Sequence, residues 1–408
     1  MRNFLLSSSV FLFSASIALG DNFLQRYLPG VTQGQAIILF ILVSFFNYKL
    51  IINNRFLILS VLIASVTSLF FSLGGFKNMV LLYTILGSVF LGIATFNPRL
   101  QNEIIRYSFI SFPIMSLFVS LTYYLRLWTL NELTGRSSFL DNNENILAGL
   151  LVFGYCIILY KFIKFTTFSG KAKYLFFALI HLPPIIATGS RSGFLILAVA
   201  SLCAIFAKIS LKFRKAFIGT AVLIAFVVAS IGISIQDSNS VINRFKNLSE
   251  DDRFAIWSLA NNLVVNNMFT GGGFGNFNDA DWRIANDLFV TRPGVKPNSI
   301  QLIAVSLHNS FLDLILIGGI WLLIPYLLII LNLFVRSFRY LFSRDIDLQV
   351  IGAFILPVVT GIFIFSFGGQ GATDKSTWFQ FGICYLLIWQ ANKVAKLKRN
   401  RMLNENRV

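Results

Sequence analysis

The sequence predicts an all-α integral membrane protein with about twelve transmembrane helices. Three observations favour this fold class: hydrophobic residues make up 56% of the 408-residue chain, charged residues only 12%, and the mean hydropathy is +0.73. A soluble domain usually carries about 25% charged residues. The apolar residues also fall into long runs, which is typical of membrane-spanning helices. We therefore expect residues 1–408 to form one polytopic membrane domain rather than several soluble domains.

Twelve apolar segments of about 16–25 residues are each long enough to span a bilayer. The first could instead be a cleaved signal peptide, because one arginine precedes an apolar core and small residues. The many apolar segments that follow it favour a transmembrane helix. The predicted spans are 4–20, 36–52, 56–75, 78–96, 105–125, 146–162, 173–188, 192–208, 214–235, 309–335, 350–367 and 376–392.

Both termini are predicted to be cytoplasmic. With that orientation 22 of the 34 Lys and Arg residues fall in short cytoplasmic segments, which include the basic tail 393–408. Cytoplasmic loops of membrane proteins carry such an excess. Half of the other 12 lie in one long outside segment, 236–308, between the ninth and tenth spans. Membrane orientation thus accounts for the net charge of +17, and no nucleic-acid partner is predicted.

A short polar turn, TGSRSG at 188–193, separates the seventh and eighth spans and is predicted to lie outside. Ser192 can cap the N-terminus of the eighth span, and the flanking glycines let the backbone approach a ligand. A helix N-terminus together with Arg191 is a natural anion site. The alternative is an interfacial arginine that extends its side chain to the lipid headgroups.

The stretch 247–267 in the outside segment has the acidic first turn and apolar spacing of an amphipathic helix. Such a helix would lie on the outer leaflet of the membrane. Arg253 and Trp257 are four residues apart and share one face of it. Arg253 could bind a ligand there, or it could pair with Asp251 or Asp252.

A glycine-rich stretch, GGGFGNF at 271–277, includes Gly273 and Gly275. It does not fit a dinucleotide-binding fingerprint, because the third glycine of that motif is missing and no βαβ unit surrounds it. The stretch predicts a turn that brings the backbone close to another group.

His308 stands directly before the tenth span, next to Asn309. An unperturbed imidazole titrates near pH 6.5, so this side chain can accept a proton at neutral pH; an idle, exposed histidine is the alternative. The other histidine, His181, lies beside Pro183 and Pro184 in the seventh span and is expected to be a hydrogen-bonded structural residue. No metal site is predicted at His308, because no second histidine or cysteine can join it.

Taken together, these motifs resemble the O-antigen ligase and O-antigen polymerase family of bacterial membrane glycosyltransferases. The resemblance lies in their order: TGSRSG opens a span, RFAIW begins an outside helix, GGGFGNF follows, and HNSFL starts the next span. It covers about 185–320. Two positions depart from the family pattern, since Phe311 stands where a tyrosine is usual and Ile317 stands where an acidic residue is common. Asp313 is one turn from Ile317, and we assign no acidic partner there.

The resemblance implies a GT-C-like membrane fold in the bacterial inner membrane and a donor glycan carried on undecaprenyl diphosphate. It implies inverting transfer, without a metal or other cofactor, to an acceptor hydroxyl at the periplasmic face. By position, Arg191 and Arg253 match the diphosphate-binding arginines and His308 matches the proposed catalytic base. Ser190, Ser192, Trp257, Gly273, Gly275 and Asn309 are candidate supporting residues.

The acceptor remains open at this stage. A ligase transfers the glycan to lipid A–core, and a polymerase transfers it to the next lipid-linked repeat unit; the compact chain with one large outside segment favours the ligase. A lipid-linked glycan flippase or transporter is the alternative from another class. It predicts ionisable residues lining a path through the spans, and the sequence has few of them. A non-catalytic membrane scaffold leaves the arginine and histidine set unexplained.

Overall fold

The computed structural model describes residues 98–131, 136–139, 144–209, 309–368 and 375–405, with single positions within 5–12 and 257–271. These residues are mostly helical, which confirms the predicted helical class for this part of the chain. Most of the predicted span 4–20 lies outside the described residues, as do the spans predicted at 36–52, 56–75, 78–96 and 214–235.

Eight helices and one small hairpin make up the described ranges. In chain order they are α1 Pro98–Tyr124, β1 Thr129–Asn131, β2 Arg136–Ser138, α2 Glu144–Lys164, α3 Phe168–Ala187, α4 Arg191–Lys208, α5 Ser310–Gly318, α6 Ile320–Leu341, α7 Ile346–Gly368 and α8 Lys375–Glu405. Strands β1 and β2 pair antiparallel, with Thr129 opposite Ser138. This hairpin lies between α1 and α2 and was not predicted from the sequence.

Five of these helices, α1, α2, α4, α6 and α7, are long and apolar enough to cross a membrane. Helix α2 begins with Glu144 and ends with Lys161 and Lys164. This order places a negative charge at the positive end of the helix dipole and positive charges at its negative end, which stabilises both ends.

Helices α2 and α7 form the centre of the bundle. Both are apolar on every side, and a helix with that pattern belongs in the interior. Residues 150–159 of α2 and 350–359 of α7 are buried throughout. The two helices meet through aromatic rings, such as Phe153 and Phe354 at 6.1 Å between ring centroids.

Side-chain contacts fix the relative directions of the helices. Helix α4 runs antiparallel to α7, because Ile196 lies against Gly361 while Phe206 meets Phe342 at the opposite end. Helix α4 runs parallel to α2, because three contacts follow the same order along both helices. These are Gly193 against Ala148, the hydrogen bond of 2.8 Å between the Ser201 and Tyr155 hydroxyls, and the hydrogen bond from Lys208 to the Ile163 carbonyl. We call the end where α4 begins and α7 finishes the Arg191 end, and the opposite end of α2, α3 and α4 the lysine end.

Helix α6 shows how the bundle meets its surroundings. One face is buried and includes Tyr326, Ile330 and Leu333. The other face is apolar but exposed, with large side chains at Ile324, Leu328, Leu331, Val335 and Phe338. An exposed apolar face of this length suits contact with lipid tails rather than water.

Two predicted spans differ from the observed helices. The span predicted at 309–335 is two helices, α5 and α6, which are separated at Gly319. The last helix, α8, continues through Glu405 and so includes most of the predicted basic tail. The three cysteines of the chain, Cys156, Cys203 and Cys384, are all buried free thiols.

Candidate active site

The polar turn between α3 and α4 is built from buried side-chain hydrogen bonds. The Thr188 hydroxyl donates to the Ile185 carbonyl at 2.7 Å, and the Ser190 amide donates to the Thr188 hydroxyl at 3.3 Å. Thr188 is 0% exposed and Ser190 is 3% exposed. Because both hydroxyls are buried and bonded to the backbone, the turn has a fixed shape and sets where α4 starts.

Ser190 is the N-cap of α4, and Arg191 is its first helical residue. The Ser190 hydroxyl accepts a hydrogen bond from the Gly193 amide at 3.2 Å. The prediction that Ser192 caps this helix is wrong, because Ser192 already lies inside the first turn. Only Ser190 combines the extended backbone of a cap with an oxygen in reach of the third amide. The Arg191 side chain is half-buried beside this amide-rich helix start.

Gly193 lets α4 approach α2 closely at this point. A Cβ atom at Gly193 would lie 2.8 Å from the Cβ of Ala148, which is closer than real side chains come. The start of α4, and with it Arg191, is therefore pressed against the beginning of the central helix α2.

We expect the Ser190→Ala substitution to lower the free energy of unfolding by about 1 kcal/mol, because the Gly193 amide loses its capping acceptor. Thermal unfolding of the purified protein in detergent measures this change. Ser192→Ala is the matched control, since it removes a hydroxyl from the same turn without removing the cap. Equal losses in both variants would contradict the assignment of the cap to Ser190.

Two polar contacts join helix α3, which leads into the turn, to α1. Pro184 has no amide hydrogen, so the Ile180 carbonyl lacks its usual helical donor; the Tyr124 hydroxyl donates to it at 3.1 Å. The next residue, His181, is buried, and its ring bonds to the Phe177 carbonyl at 2.8 Å through Nδ1 and to the Ser116 hydroxyl at 3.1 Å through Nε2. His181 is thus confirmed as a hydrogen-bonded structural residue.

A second helix start lies at the Arg191 end. Asn309 caps α5, and its side-chain oxygen accepts from the amides of Phe311 at 3.0 Å and Leu312 at 3.3 Å. Asn309 is 6% exposed, and Asp313, one turn along, is 1% exposed. Since the cap is buried and bonded twice, the chain direction at 309 is fixed where His308 joins it.

The end of α7 brings the two helix starts to the same end of the bundle. Ile196, in the second turn of α4, lies against Gly361. Phe311, in the first turn of α5, packs against Phe363 and Phe367, with ring centroids 6.0 and 4.8 Å apart. Two helix N-termini, each with partial positive charge, therefore flank the last two turns of α7.

The break at Gly319 is a docking point for the segment that contains Met268 and Phe269. The Ile320 amide, at the start of α6, donates to the Met268 carbonyl at 2.9 Å. Gly319 has φ +61°, and a Cβ atom there would lie 2.7 Å from the Phe269 carbonyl oxygen. Glycine is needed at 319 both for the left-handed backbone and for the space that the docked segment occupies.

We expect Gly319→Ala to lower the free energy of unfolding by about 1–3 kcal/mol, because the substitution strains the backbone and pushes the Phe269 carbonyl away. Gly149→Ala is the control, since Gly149 is inside α2 and a Cβ atom there would lie 3.3 Å from an aromatic ring edge of Phe365. Thermal unfolding in detergent checks both variants. A Gly319→Ala protein as stable as the control would contradict this account of the docking point.

The structure describes five of the nine predicted site residues. Ser190, Arg191 and Ser192 form the start of α4, Asn309 forms the start of α5, and Trp257 is a half-buried helical residue. The remaining four, His308, Arg253, Gly273 and Gly275, lie outside the described residues. The arrangement therefore brings the arginine turn and the residue after His308 to one end of the bundle.

Three further residues shape this end, and none of them was given an individual role from the sequence. Tyr124 and Thr188 position α3 and the turn, and Gly319 receives the docked segment. The paired glycines 318 and 319 inside an apolar run were an available signal, because glycine inside a helical pattern often marks a break. Nothing comparable in the local sequence marks Tyr124 as a partner of Ile180.

Comparison with known proteins gives one finding for this region. Residues 176–327 match the family model described as O-antigen ligase. No curated protein matches the chain at a significant level of similarity. The matched segment starts in α3, includes both the arginine turn and the start of α5, and ends in α6. Over this segment the chain is similar to the O-antigen ligase family.

Proposed function

We propose that this chain is a membrane glycosyltransferase of the O-antigen ligase type. It transfers a glycan from undecaprenyl diphosphate to an acceptor hydroxyl on lipid A–core. The observation that carries the proposal is the family match over 176–327, which contains every residue of the proposed catalytic set. The convergence of the α4 and α5 starts at the end of α7 supports it, because the donor and the acceptor must meet at one place.

Arg191 and Arg253 hold the diphosphate of the donor. Arg191 is the first residue of α4, where the helix dipole already favours an anion. Guanidinium groups stay charged and bind phosphate oxygens in pairs. As the sugar leaves, negative charge grows on the diphosphate, so the two cations stabilise the transition state more than the ground state. Two arginines can fill the role that a divalent metal fills in many sugar transferases.

His308 acts as the general base. It takes the proton from the acceptor hydroxyl while the hydroxyl oxygen forms a bond to the anomeric carbon and the bond from that carbon to the diphosphate breaks. One displacement of this kind inverts the anomeric configuration. The Asn309 cap, buried and bonded to two amides, supports the chain beside the histidine.

The reaction takes place at the periplasmic face of the inner membrane, with both termini in the cytoplasm. The distribution of charge supports this orientation, because the lysines of α2, α3 and α4 gather at the end opposite Arg191, namely Lys161, Lys164, Lys171, Lys173 and Lys208.

A reconstituted transfer assay tests the proposal. Purified full-length protein is mixed with an undecaprenyl-diphosphate glycan and either lipid A–core or a second lipid-linked repeat unit. A glycan joined to lipid A–core is the expected product. Elongated lipid-linked glycan without transfer to lipid A–core would instead identify a polymerase, and no product with either acceptor would contradict the glycosyltransferase assignment.

A further inference from the structure

We propose that the protein holds one anionic glycerophospholipid in a groove between α1, α2 and α3 at the lysine end. The groove has a volume of about 150 Å³ and an almost wholly apolar lining. Its walls include Ile110, Ile114 and Leu117 of α1, Ile158 of α2 and Phe177 of α3. This location is at the opposite end of the bundle from Arg191, so the inference concerns a site separate from the transfer reaction.

The groove opens toward the lipid-facing exterior. Ile110 is 42% exposed and Ile114 is 49% exposed, although both line its wall. The lining residues of α1 extend from Ile110 to Leu117, which is about 10 Å along a helix. A concave apolar channel of this length beside lipid suits part of a hydrocarbon chain.

Two lysines stand at the mouth of the groove. Lys161 and Lys173 both line it, so two positive charges lie at one groove. Each ammonium also lies 5.7 Å from the centroid of an aromatic ring, Lys161 over Tyr174 and Lys173 over Phe177. These contacts hold two like charges at the same opening.

The distribution of charge around these lysines would favour an anion between them. The sequence contains no acidic residue from 145 to 236, so α3 and α4 carry no carboxylate, and the acidic residue of α2, Glu144, is at its other end. Helix α1 carries one, Glu103, about two turns from Ile110, and Arg106 lies between them. Asp345 and Asp347 precede or begin α7, and neither lines the groove. A lipid phosphate would therefore relieve the repulsion between Lys161 and Lys173.

The occupant that satisfies both parts is a phospholipid with a net negative headgroup. Its phosphate binds between the two ammonium groups, and one acyl chain lies along Ile110, Ile114 and Leu117. A free phosphate ion would use only the lysines, and a zwitterionic lipid such as phosphatidylcholine would bring its own ammonium group close to both of them. Juxtamembrane lysines contribute about 1 kcal/mol each to the attraction of anionic lipid.

Native mass spectrometry of the purified full-length protein tests the site. The protein in detergent is titrated with phosphatidylglycerol or phosphatidylcholine, and the lipid-bound fraction is measured. We expect tighter retention of phosphatidylglycerol by the wild type, and about 30-fold weaker retention in the double variant Lys161→Gln, Lys173→Gln. The matched control is Lys164→Gln, Lys171→Gln, which removes the same charge from the lysine end without touching the groove lining; it should stay within about twofold.

A further variant, Ile114→Trp, fills the groove and leaves both lysines in place. It should weaken retention of phosphatidylglycerol, because the acyl chain loses its channel. Equal retention of the two lipids by the wild type would overturn the proposal, as would equal losses in the two lysine pairs. Displacement of the lipid by millimolar inorganic phosphate would also overturn it, since that result indicates a simple anion site. None of these measurements depends on glycan transfer.

Discussion

Arg191→Ala is expected to weaken binding of the undecaprenyl-diphosphate donor by about 10- to 100-fold, the cost of losing charge-assisted hydrogen bonds to a phosphate. The effect should fall on donor affinity because the guanidinium is on the first residue of α4, at the positive end of that helix dipole. A titration of the detergent-solubilised protein with the lipid-linked donor measures it. The turn should keep its shape, since its hydrogen bonds come from Thr188 and Ser190.

Arg126→Ala is the matched control for this experiment. Arg126 follows the end of α1, also at the Arg191 end, and its side chain is exposed. Its removal takes one positive charge from the same end of the protein without altering the start of α4. Equal losses of donor affinity in the two variants would show that general charge at this end, rather than Arg191, attracts the diphosphate.

His308→Ala is expected to reduce the rate of glycan transfer by about 100- to 10,000-fold, the usual contribution of a general base. Donor affinity should remain near that of the wild type, because the diphosphate contacts are assigned to the arginines. A single-turnover transfer assay with saturating donor separates these two quantities. A reduced transfer rate with unchanged donor affinity distinguishes a catalytic base from a residue that only supports the fold.

The His308→Gly variant tests the same catalytic role by a second experiment. Added imidazole should restore part of the transfer rate, because a free base can take the place of the missing ring. Normal transfer by His308→Ala, or loss of donor binding in step with the rate, would contradict the assignment. His181 should not respond in this way, since its ring is buried and both nitrogens are bonded within the bundle.

The sequence predicted the positions of helices α2 and α4 closely. Helix α2 was expected at 146–162 and is Glu144–Lys164, and α4 was expected at 192–208 and is Arg191–Lys208. Both are uninterrupted apolar runs between charged residues, so their ends are marked in the local sequence. The break at Gly319 was missed, because hydropathy alone does not distinguish one bent span from two helices.

The arginine turn and the start of α5 were predicted from local motifs, but their common location depends on α7. The residues of α7 that bring them together are Gly361, Phe363 and Phe367, and these are ordinary apolar residues in an apolar helix. Long-range packing of this kind leaves no periodic or polar signal in the sequence. Ser192 was predicted as the cap in place of Ser190, because both are serines near the same helix start and the local sequence does not distinguish them.

The hydrogen bond from Ile320 to Met268 has a consequence for how this protein can change over evolution. Met268 is held beside Gly319, and Asn309 is at the far end of α5, a helix of nine residues and about 13 Å. Met268 and Asn309, the two points that the intervening sequence connects, are therefore held a short distance apart. The entropy of closing a loop rises only slowly with its length. Insertions and deletions between Gly275 and His308 should thus cost little stability, while the helix starts at Arg191 and Asn309 keep their places.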